Sequence, residues 1–227
     1  LFRSIHDVAI QDLPVVMCLD RGGLVGEDGV THHGVFDMAA FGAVPGLTIA
    51  APMNEPELRN MMYTALGSGH PFMIRYPRGH GEGLPWRGEK FETLPVGRGR
   101  RLREGADVAL LTVGTVGNAA ARAAGRAAAE GVSVAHYDLR FVKPLDEALL
   151  DEVGRKFRRV VTVEDGSLRG GVGEAVAAFF NGRGYDVRVQ RLGIGDEWVE
   201  HGTPGQLYAL CGYDEEGILR ALLDTRA

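Results

Sequence analysis

A chain of 227 residues is long enough to form one large domain or two smaller ones, each with its own hydrophobic core. Its composition, with 45% hydrophobic and 24% charged residues, is ordinary for a globular protein. The net charge of −5 gives no electrostatic reason to expect nucleic acid or a membrane surface as a partner. Because no secretory or transmembrane segment is visible and only two cysteines occur, a reducing cytoplasm is the expected location.

The first predicted elements are a helix and a strand. Apolar residues at positions 2, 5, 8 and 9 follow helical spacing, without a preceding cap or an initiator methionine. We interpret this opening as the sign of a fragment. The apolar run Val15–Leu19, bounded by Pro14 and Asp20, then predicts a fully buried strand that includes Cys18.

The most informative segment follows this strand. Residues 20–34 (DRGGLVGEDGVTHHG), here called the glycine loop, contain five glycines together with Arg21, Asp28, His32 and His33. In open parallel sheets ligands bind beyond the carboxyl ends of the strands, which is where this loop is expected. Adjacent histidines point in different directions, so we expect one of them beside a reacting centre and the other in a structural role.

The pattern up to residue 79 continues as alternating helices and strands, which predicts a parallel α/β sheet. Residues 80–97, rich in glycine and proline and without a sustained period, are typical of a linker. The elements expected before this linker are a short helix near 35–43, a strand near 47–51, a helix over 54–67 with a capping box formed by Asn54 and Glu57, and a strand over 72–76.

A second α/β unit is predicted over residues 98–227, after a first unit over 1–79. Four strands separated by helices indicate a doubly wound domain with right-handed crossovers. The strands are expected at 108–113, 132–137, 160–164 and 187–192, and the helices at 116–130 (with Thr115 as N-cap), 145–157, 173–181, 204–211 and 214–224.

Two further glycine-rich strand ends are weaker candidates for a site. Gly114–Gly117 lacks the third glycine of a dinucleotide fingerprint, so a turn with a helix cap is the better interpretation. Residues 164–173 (EDGSLRGGVG) could hold an anion at the start of the following helix. They have no lysine with serine or threonine at P-loop spacing, which favours a tight strand-to-helix turn.

Two arginines lie at the end of the strand predicted over 72–76. The guanidinium groups of Arg75 and Arg78 match phosphate oxygens, so they could join Arg21 in binding an anionic group. An ion pair between the two units is the alternative, and the sequence leaves both open.

Three motifs carry a resemblance to a known family. They are the glycine loop, Ile74–Gly79 (IRYPRG) and Arg140–Asp146 (RFVKPLD). In this order they resemble the 1-deoxy-D-xylulose-5-phosphate synthases of the transketolase superfamily. The resemblance implies an α/β fold, in which a partial pyrimidine-binding, parallel-sheet domain is followed by a doubly wound transketolase C-terminal domain.

The same resemblance implies a thiamine-diphosphate-dependent and Mg²⁺-dependent transferase, a homodimer of isoprenoid and thiamine precursor biosynthesis. Such an enzyme condenses pyruvate with D-glyceraldehyde 3-phosphate and releases CO₂. Arg21 and Arg78 match the residues that hold the phosphate of the acceptor, while Asp28 and His32 match polar residues that face the reacting carbons. Lys143 also matches the family motif, and we expect it to serve the structure of the C-terminal domain or the contact of this domain with the rest of the protein.

Residues that bind the cofactor and the metal are expected upstream of this chain, on a missing N-terminal part that would be its partner. The chain alone is then expected to be inactive. Two alternatives stay open: the β subunit of a 2-oxo acid dehydrogenase or another transketolase-like enzyme, and a non-catalytic assembly or dimerisation module.

Overall fold

The computed structural model describes residues 3–88 and 90–224. In these ranges the strands form two mainly parallel sheets with helices packed on them, which confirms the predicted α/β class. The N-terminal helix is a π-helix, Ser4–Ala9, and Phe2 of the predicted helical pattern lies outside the described residues. None of the described helices has the length and apolar character needed to cross a membrane.

The first sheet contains β1 (Val16–Leu19), β2 (Thr48–Ala50), β3 (Phe72–Arg75) and β7 (Phe141–Lys143), with helices α1 (Asp37–Gly42) and α2 (Glu55–Leu66). The strand order is β1-β3-β2-β7, in which β1, β3 and β2 are parallel and β7 is antiparallel to β2. α2 begins as predicted, because Asn54 Oδ1 accepts a hydrogen bond from Glu57 N. The Glu57 carboxylate does not complete the capping box, since it binds arginines of the second unit.

The predicted burial of β1 is wrong. β1 pairs only with β3 in the described sheet, its residues are half-buried, and Cys18 is exposed. An edge strand has no neighbour on one side, and a short apolar run does not distinguish an edge strand from a central one.

The second sheet contains β4 (Arg100–Arg103), β5 (Val108–Val113), β6 (Val134–Asp138), β8 (Arg159–Ser167) and β9 (Arg188–Ile194). Its helices are α3 (Val116–Ala129), α4 (Glu147–Lys156), α5 (Val172–Gly182), α6 (Pro204–Leu210) and α7 (Glu215–Leu223). The order is β4-β6-β5-β8-β9, and the four predicted strands are the parallel ones. β4 is antiparallel to β6 and was not predicted, because its charged sequence RRLR shows no core-facing alternation.

Polar contacts and one strand join the two units. The motif RFVKPLD leaves the second sheet and forms β7 on the first, where Lys143 Nζ donates to the carbonyl oxygens of Gly42 and Val44. The buried Glu57 carboxylate accepts two hydrogen bonds from Arg140, at 2.9 and 2.8 Å. Lys143 therefore lies at the contact between the units, one of the two roles expected for it.

The glycine- and proline-rich segment 80–97 forms no helix or strand in its described residues. It nevertheless packs along α2. Leu94 is buried, and its backbone N donates to Thr64 Oγ1 at 2.8 Å.

Candidate functional site

The glycine loop and residues 76–82 leave the same edge of the first sheet. The parallel register of β1 and β3 places Leu19 beside Arg75, so both segments begin at neighbouring strand ends. Gly22 N donates to Tyr76 O at 2.9 Å, and this bond ties the two segments together. This is the crevice beyond the strand ends where open α/β sheets bind ligands.

Hydrogen bonds close the base of the glycine loop. Gly23 N donates to Gly34 O at 2.8 Å, and Gly34 N donates to Gly23 O at 2.9 Å. A Cβ atom on Gly34 would lie 2.2 Å from the carbonyl oxygen of Arg21, so this position requires glycine. Arg21 itself has a φ of +59°, an uncommon conformation for a residue other than glycine.

Two of the four predicted site residues contact each other. Arg78 Nη1 donates to Asp28 Oδ2 at 2.5 Å, although the residues are 50 positions apart in the sequence. Their side chains are 45% and 37% exposed, respectively. A guanidinium has five N–H donors in a rigid fork, and this contact uses one of them. The pair therefore lies at the surface with donors available for a ligand.

The other two predicted residues are exposed on the same loop. Arg21 Nη1 donates to Asp20 Oδ2 at 2.8 Å, and its side chain is 49% exposed. The His32 ring contacts Thr31 Oγ1 at 2.9 Å through Nδ1. Neither Arg21 nor His32 makes a hydrogen bond or ion pair with Arg78 or Asp28 in the described ranges.

His33 has a structural contact. It is half-buried, and its Nδ1 accepts a hydrogen bond from Val25 N at 3.2 Å, across the glycine loop. His32 is exposed and His33 is half-buried, so the two rings lie in different environments.

Arg75 is a buried cation between the two units. Its Nε donates to Asp37 Oδ2 at 2.6 Å, and its Nη2 donates to the carbonyl oxygens of Gly34 and Asp165 at 3.2 and 2.9 Å. The ion pair of Arg75 with Asp37 lies within the first unit, so it is not the ion pair between the units that the sequence left open; Arg75 reaches the second unit through the backbone oxygen of Asp165. The exposed Arg78, three residues further on, is the arginine of this motif that can reach a ligand.

Within residues 164–173, only residues 168–171 form the turn between β8 and α5, and a side chain of the protein itself takes the place that an anion would occupy. The carboxylate of Glu164 accepts hydrogen bonds from Val172 N and Gly173 N, both at 2.8 Å, and so occupies the N-terminus of α5. Burial raises the pKa of Glu164, and the two amide donors oppose that shift. The helix N-terminus is filled by the chain's own carboxylate.

Sequence reasoning missed Asp165, the next residue. Its buried carboxylate contacts the glycine loop and two tyrosines, and burial raises its pKa while the Arg75 guanidinium opposes the shift. The only sequence signal was an acidic residue at the end of a predicted strand, which says nothing about a loop 141 positions away.

A cavity of about 600 Å³ opens beside Arg78, between the two units. Sequence reasoning did not find it because its walls come from distant segments. The polar and aromatic side chains in its wall include Tyr76, Arg78, His80, Arg122, Tyr208 and Tyr213.

A cluster of metal-binding side chains is not found in the described part of the chain. Over residues 3–88 and 90–224, no three histidine, cysteine, aspartate or glutamate side chains are grouped so that they could hold a metal ion. Mg²⁺ is bound through oxygen ligands in a near-octahedral arrangement.

Family models match both units of the chain. The model described as "Transketolase, pyrimidine binding domain" matches residues 3–82, and the one described as "Transketolase, C-terminal domain" matches residues 97–218. The chain belongs to the transketolase family. This membership confirms the predicted fold of a pyrimidine-binding part followed by a transketolase C-terminal part.

Relatives named "1-deoxy-D-xylulose-5-phosphate synthase" confirm the resemblance within this transketolase family. The protein of Bacteroides fragilis is 58% identical over 224 residues, covering 98% of this chain and 34% of the relative. That of Symbiobacterium thermophilum is 47% identical over 216 residues, covering 95% and 33%. The chain thus spans about a third of the length of these relatives.

A solved structure of this family has the same fold. It is described as "Split gene transketolase, inactive beta4 tetramer" and superposes with a TM-score of 0.86 at 26% identity. The match covers 97% of this chain and 70% of the other.

Proposed function

We propose that this chain supplies the acceptor-binding part of a 1-deoxy-D-xylulose-5-phosphate synthase. The complete transferase condenses pyruvate with D-glyceraldehyde 3-phosphate, releases CO₂ and forms 1-deoxy-D-xylulose 5-phosphate. The observation that carries the proposal is the contact of Arg78 with Asp28, which joins the end of β3 to the loop that carries Arg21 and His32.

Arg21 and Arg78 bind the acceptor phosphate in this proposal. Both are about half exposed and stand after adjacent parallel strands. A phosphate dianion accepts charge-assisted hydrogen bonds from guanidinium groups, and these are stronger than neutral ones. Asp28 holds one N–H of Arg78 and so orients the guanidinium, whose other donors face the phosphate.

His32 and Asp28 act on the carbonyl and hydroxyl groups of the acceptor. The His32 imidazole is exposed on the loop and can act as a general acid or base, so it can move a proton at the acceptor carbonyl oxygen. Asp28 can accept a hydrogen bond from an acceptor hydroxyl and thereby orient it.

Thiamine diphosphate and Mg²⁺ are held in this proposal by the remainder of the enzyme. The chain works together with that remainder, and it is inactive alone. The solved relative described as a split-gene transketolase and an inactive β4 tetramer supports this division of labour. A homodimer of the complete enzyme and a cytoplasmic location belong to the same proposal.

The test compares two acceptors in the enzyme assembled from this chain and the cofactor-binding remainder. We expect Arg21→Ala and Arg78→Ala each to raise the KM for D-glyceraldehyde 3-phosphate about 10- to 100-fold, because the loss of a hydrogen bond to a charged group weakens binding by about this factor. The KM values for pyruvate and for unphosphorylated D-glyceraldehyde stay unchanged. Arg158→Ala is the control, since this exposed arginine donates through Nη1 to Asp186 O at 3.3 Å, and both residues lie far along the chain from the glycine loop.

Three other outcomes of this test would count against the proposed function or favour one of the alternative functions. An equal loss with both acceptors would reject the phosphate role of the two arginines. Acyl transfer to a lipoyl group, without formation of deoxyxylulose phosphate, would indicate a 2-oxo acid dehydrogenase β subunit. An assembled protein without either activity would indicate an assembly module.

A further inference from the structure

A buried carboxylate of the second sheet contacts the glycine loop. Asp165 in β8 is 4% exposed, and its Oδ1 accepts hydrogen bonds from Leu24 N at 3.0 Å and from the Tyr213 hydroxyl at 2.8 Å. The Tyr208 hydroxyl donates to Oδ2 at 3.4 Å. Leu24 is 2% exposed, so water does not substitute for this acceptor.

The loop and the carboxylate are closely packed. A Cβ atom on Gly23 would lie 1.9 Å from Asp165 Oδ2, and Gly23 has a φ of +84°. The buried Arg75 guanidinium binds the main chain on both sides of this contact, at Asp165 O and at Gly34 O. Asp165 thus holds the first half of the glycine loop, while Arg75 holds its end.

We infer that Asp165 is a positioning residue for the acceptor site, fixing the glycine loop through its contact with Leu24 N. This inference rests on the proposed function. No hydrogen bond or ion pair in the described parts of the chain links Asp165 to Arg21, Asp28 or His32, so its effect passes through the loop backbone. The second unit thereby takes part in acceptor binding through a residue that stays buried.

The preceding residue offers a matched control. Glu164 is 1% exposed and, like Asp165, its carboxylate accepts two short hydrogen bonds. Its backbone partners, Val172 and Gly173, belong to α5 and not to the glycine loop. A change at Glu164 therefore perturbs a buried carboxylate of the same strand without removing an acceptor from the loop.

The experiment uses the assembled enzyme and measures KM values and amide hydrogen exchange. We expect Asp165→Ala to raise the KM for D-glyceraldehyde 3-phosphate about tenfold or more, because a displaced loop misplaces several groups at once. The KM for pyruvate stays unchanged, and amides of residues 22–34 exchange faster. Asp165→Asn keeps an oxygen for Leu24 N and recovers most of the acceptor affinity. Glu164→Gln lowers the melting temperature but changes neither KM nor exchange in the loop.

The outcomes separate the two proposals. If Arg21→Ala and Arg78→Ala leave acceptor KM unchanged, the proposed function fails, and the exchange data still show whether Asp165 holds the loop. If those variants raise acceptor KM but Asp165→Ala and Glu164→Gln act alike, the positioning role of Asp165 is overturned. Unchanged loop exchange in Asp165→Ala overturns it as well. Should Asp165→Ala not fold, Tyr213→Phe, which removes one donor to Asp165, is compared with Glu164→Gln by the same measurements.

Discussion

Replacing Gly23 by alanine measures how tightly the second sheet is packed on the glycine loop. The φ of +84° at Gly23 costs an L-residue about 1–2 kcal/mol. The new Cβ would overlap Asp165 Oδ2, and Asp165 cannot turn away without losing its bonds to Leu24 N and Tyr213. Because leaving such buried groups unpaired costs about 1–3 kcal/mol, we expect the free energy of unfolding to fall by about 2–5 kcal/mol.

Urea unfolding followed by circular dichroism checks this value, through the midpoint at an unchanged m value. The matched control is Gly46→Ala, since Gly46 has a φ of +72° and no heavy atom within 4 Å of the built Cβ. This control should show only the backbone cost of about 1–2 kcal/mol. Equal losses in Gly23→Ala and Gly46→Ala would refute the steric argument and would mean that Asp165 moves without cost.

Two further predictions concern buried charges. Glu57→Gln leaves partly buried arginines without their carboxylate, so it should lower the free energy of unfolding by about 3 kcal/mol. Glu216→Gln, in an exposed ion pair, is the control and should have little effect. Urea unfolding measures the free energy of unfolding of both variants. Burial lowers the pKa of His136 from 6.5 to about 4, so its contribution to stability is present above about pH 6.5 and lost as the pH falls toward 4. Burial raises the pKa of Asp138 from 3.8 to about 6, so its contribution is lost as the pH rises through that range and opposes the effect of His136. As the pH falls, the melting temperature of His136→Gln should therefore rise relative to that of the wild type. A difference between the two melting temperatures that does not change with pH would contradict the lowered pKa of His136.

Long periodic elements were predictable from the sequence. α2 has Asn54 as its cap, and α3 places small alanines on one buried face, so local signals specify both. Thr115 precedes α3 as predicted, but its side chain makes no capping hydrogen bond. β7 has no such signal, because its three residues pair with a strand about 90 positions earlier in the sequence. The exposure of β1 was also outside the reach of the sequence, since an edge strand and a central strand can share the same apolar pattern.

At the candidate site, too, the sequence predicts what depends on neighbouring residues and not what depends on tertiary packing. Arg75 and Arg78 have identical chemistry and lie three residues apart, so the sequence could not tell which of them faces a ligand. The strand ends at Arg75, whose side chain is buried against Asp37, and Arg78 lies beyond the strand in contact with Asp28. Their tertiary surroundings separate them: Arg75 is buried against Asp37 and the Asp165 backbone oxygen, whereas Arg78 is half exposed.

The pair Glu164 and Asp165 explains why this packing is specific. Successive side chains of a strand point to opposite faces of the sheet. Glu164 accordingly caps α5 within its own unit, while Asp165 binds Leu24 N of the other unit. One dipeptide thus stabilises a helix of the second unit and holds the glycine loop of the first. A glycine loop separated from the second sheet would lose Asp165, the acceptor of the buried Leu24 amide, so the acceptor-binding groups depend on both units being folded together.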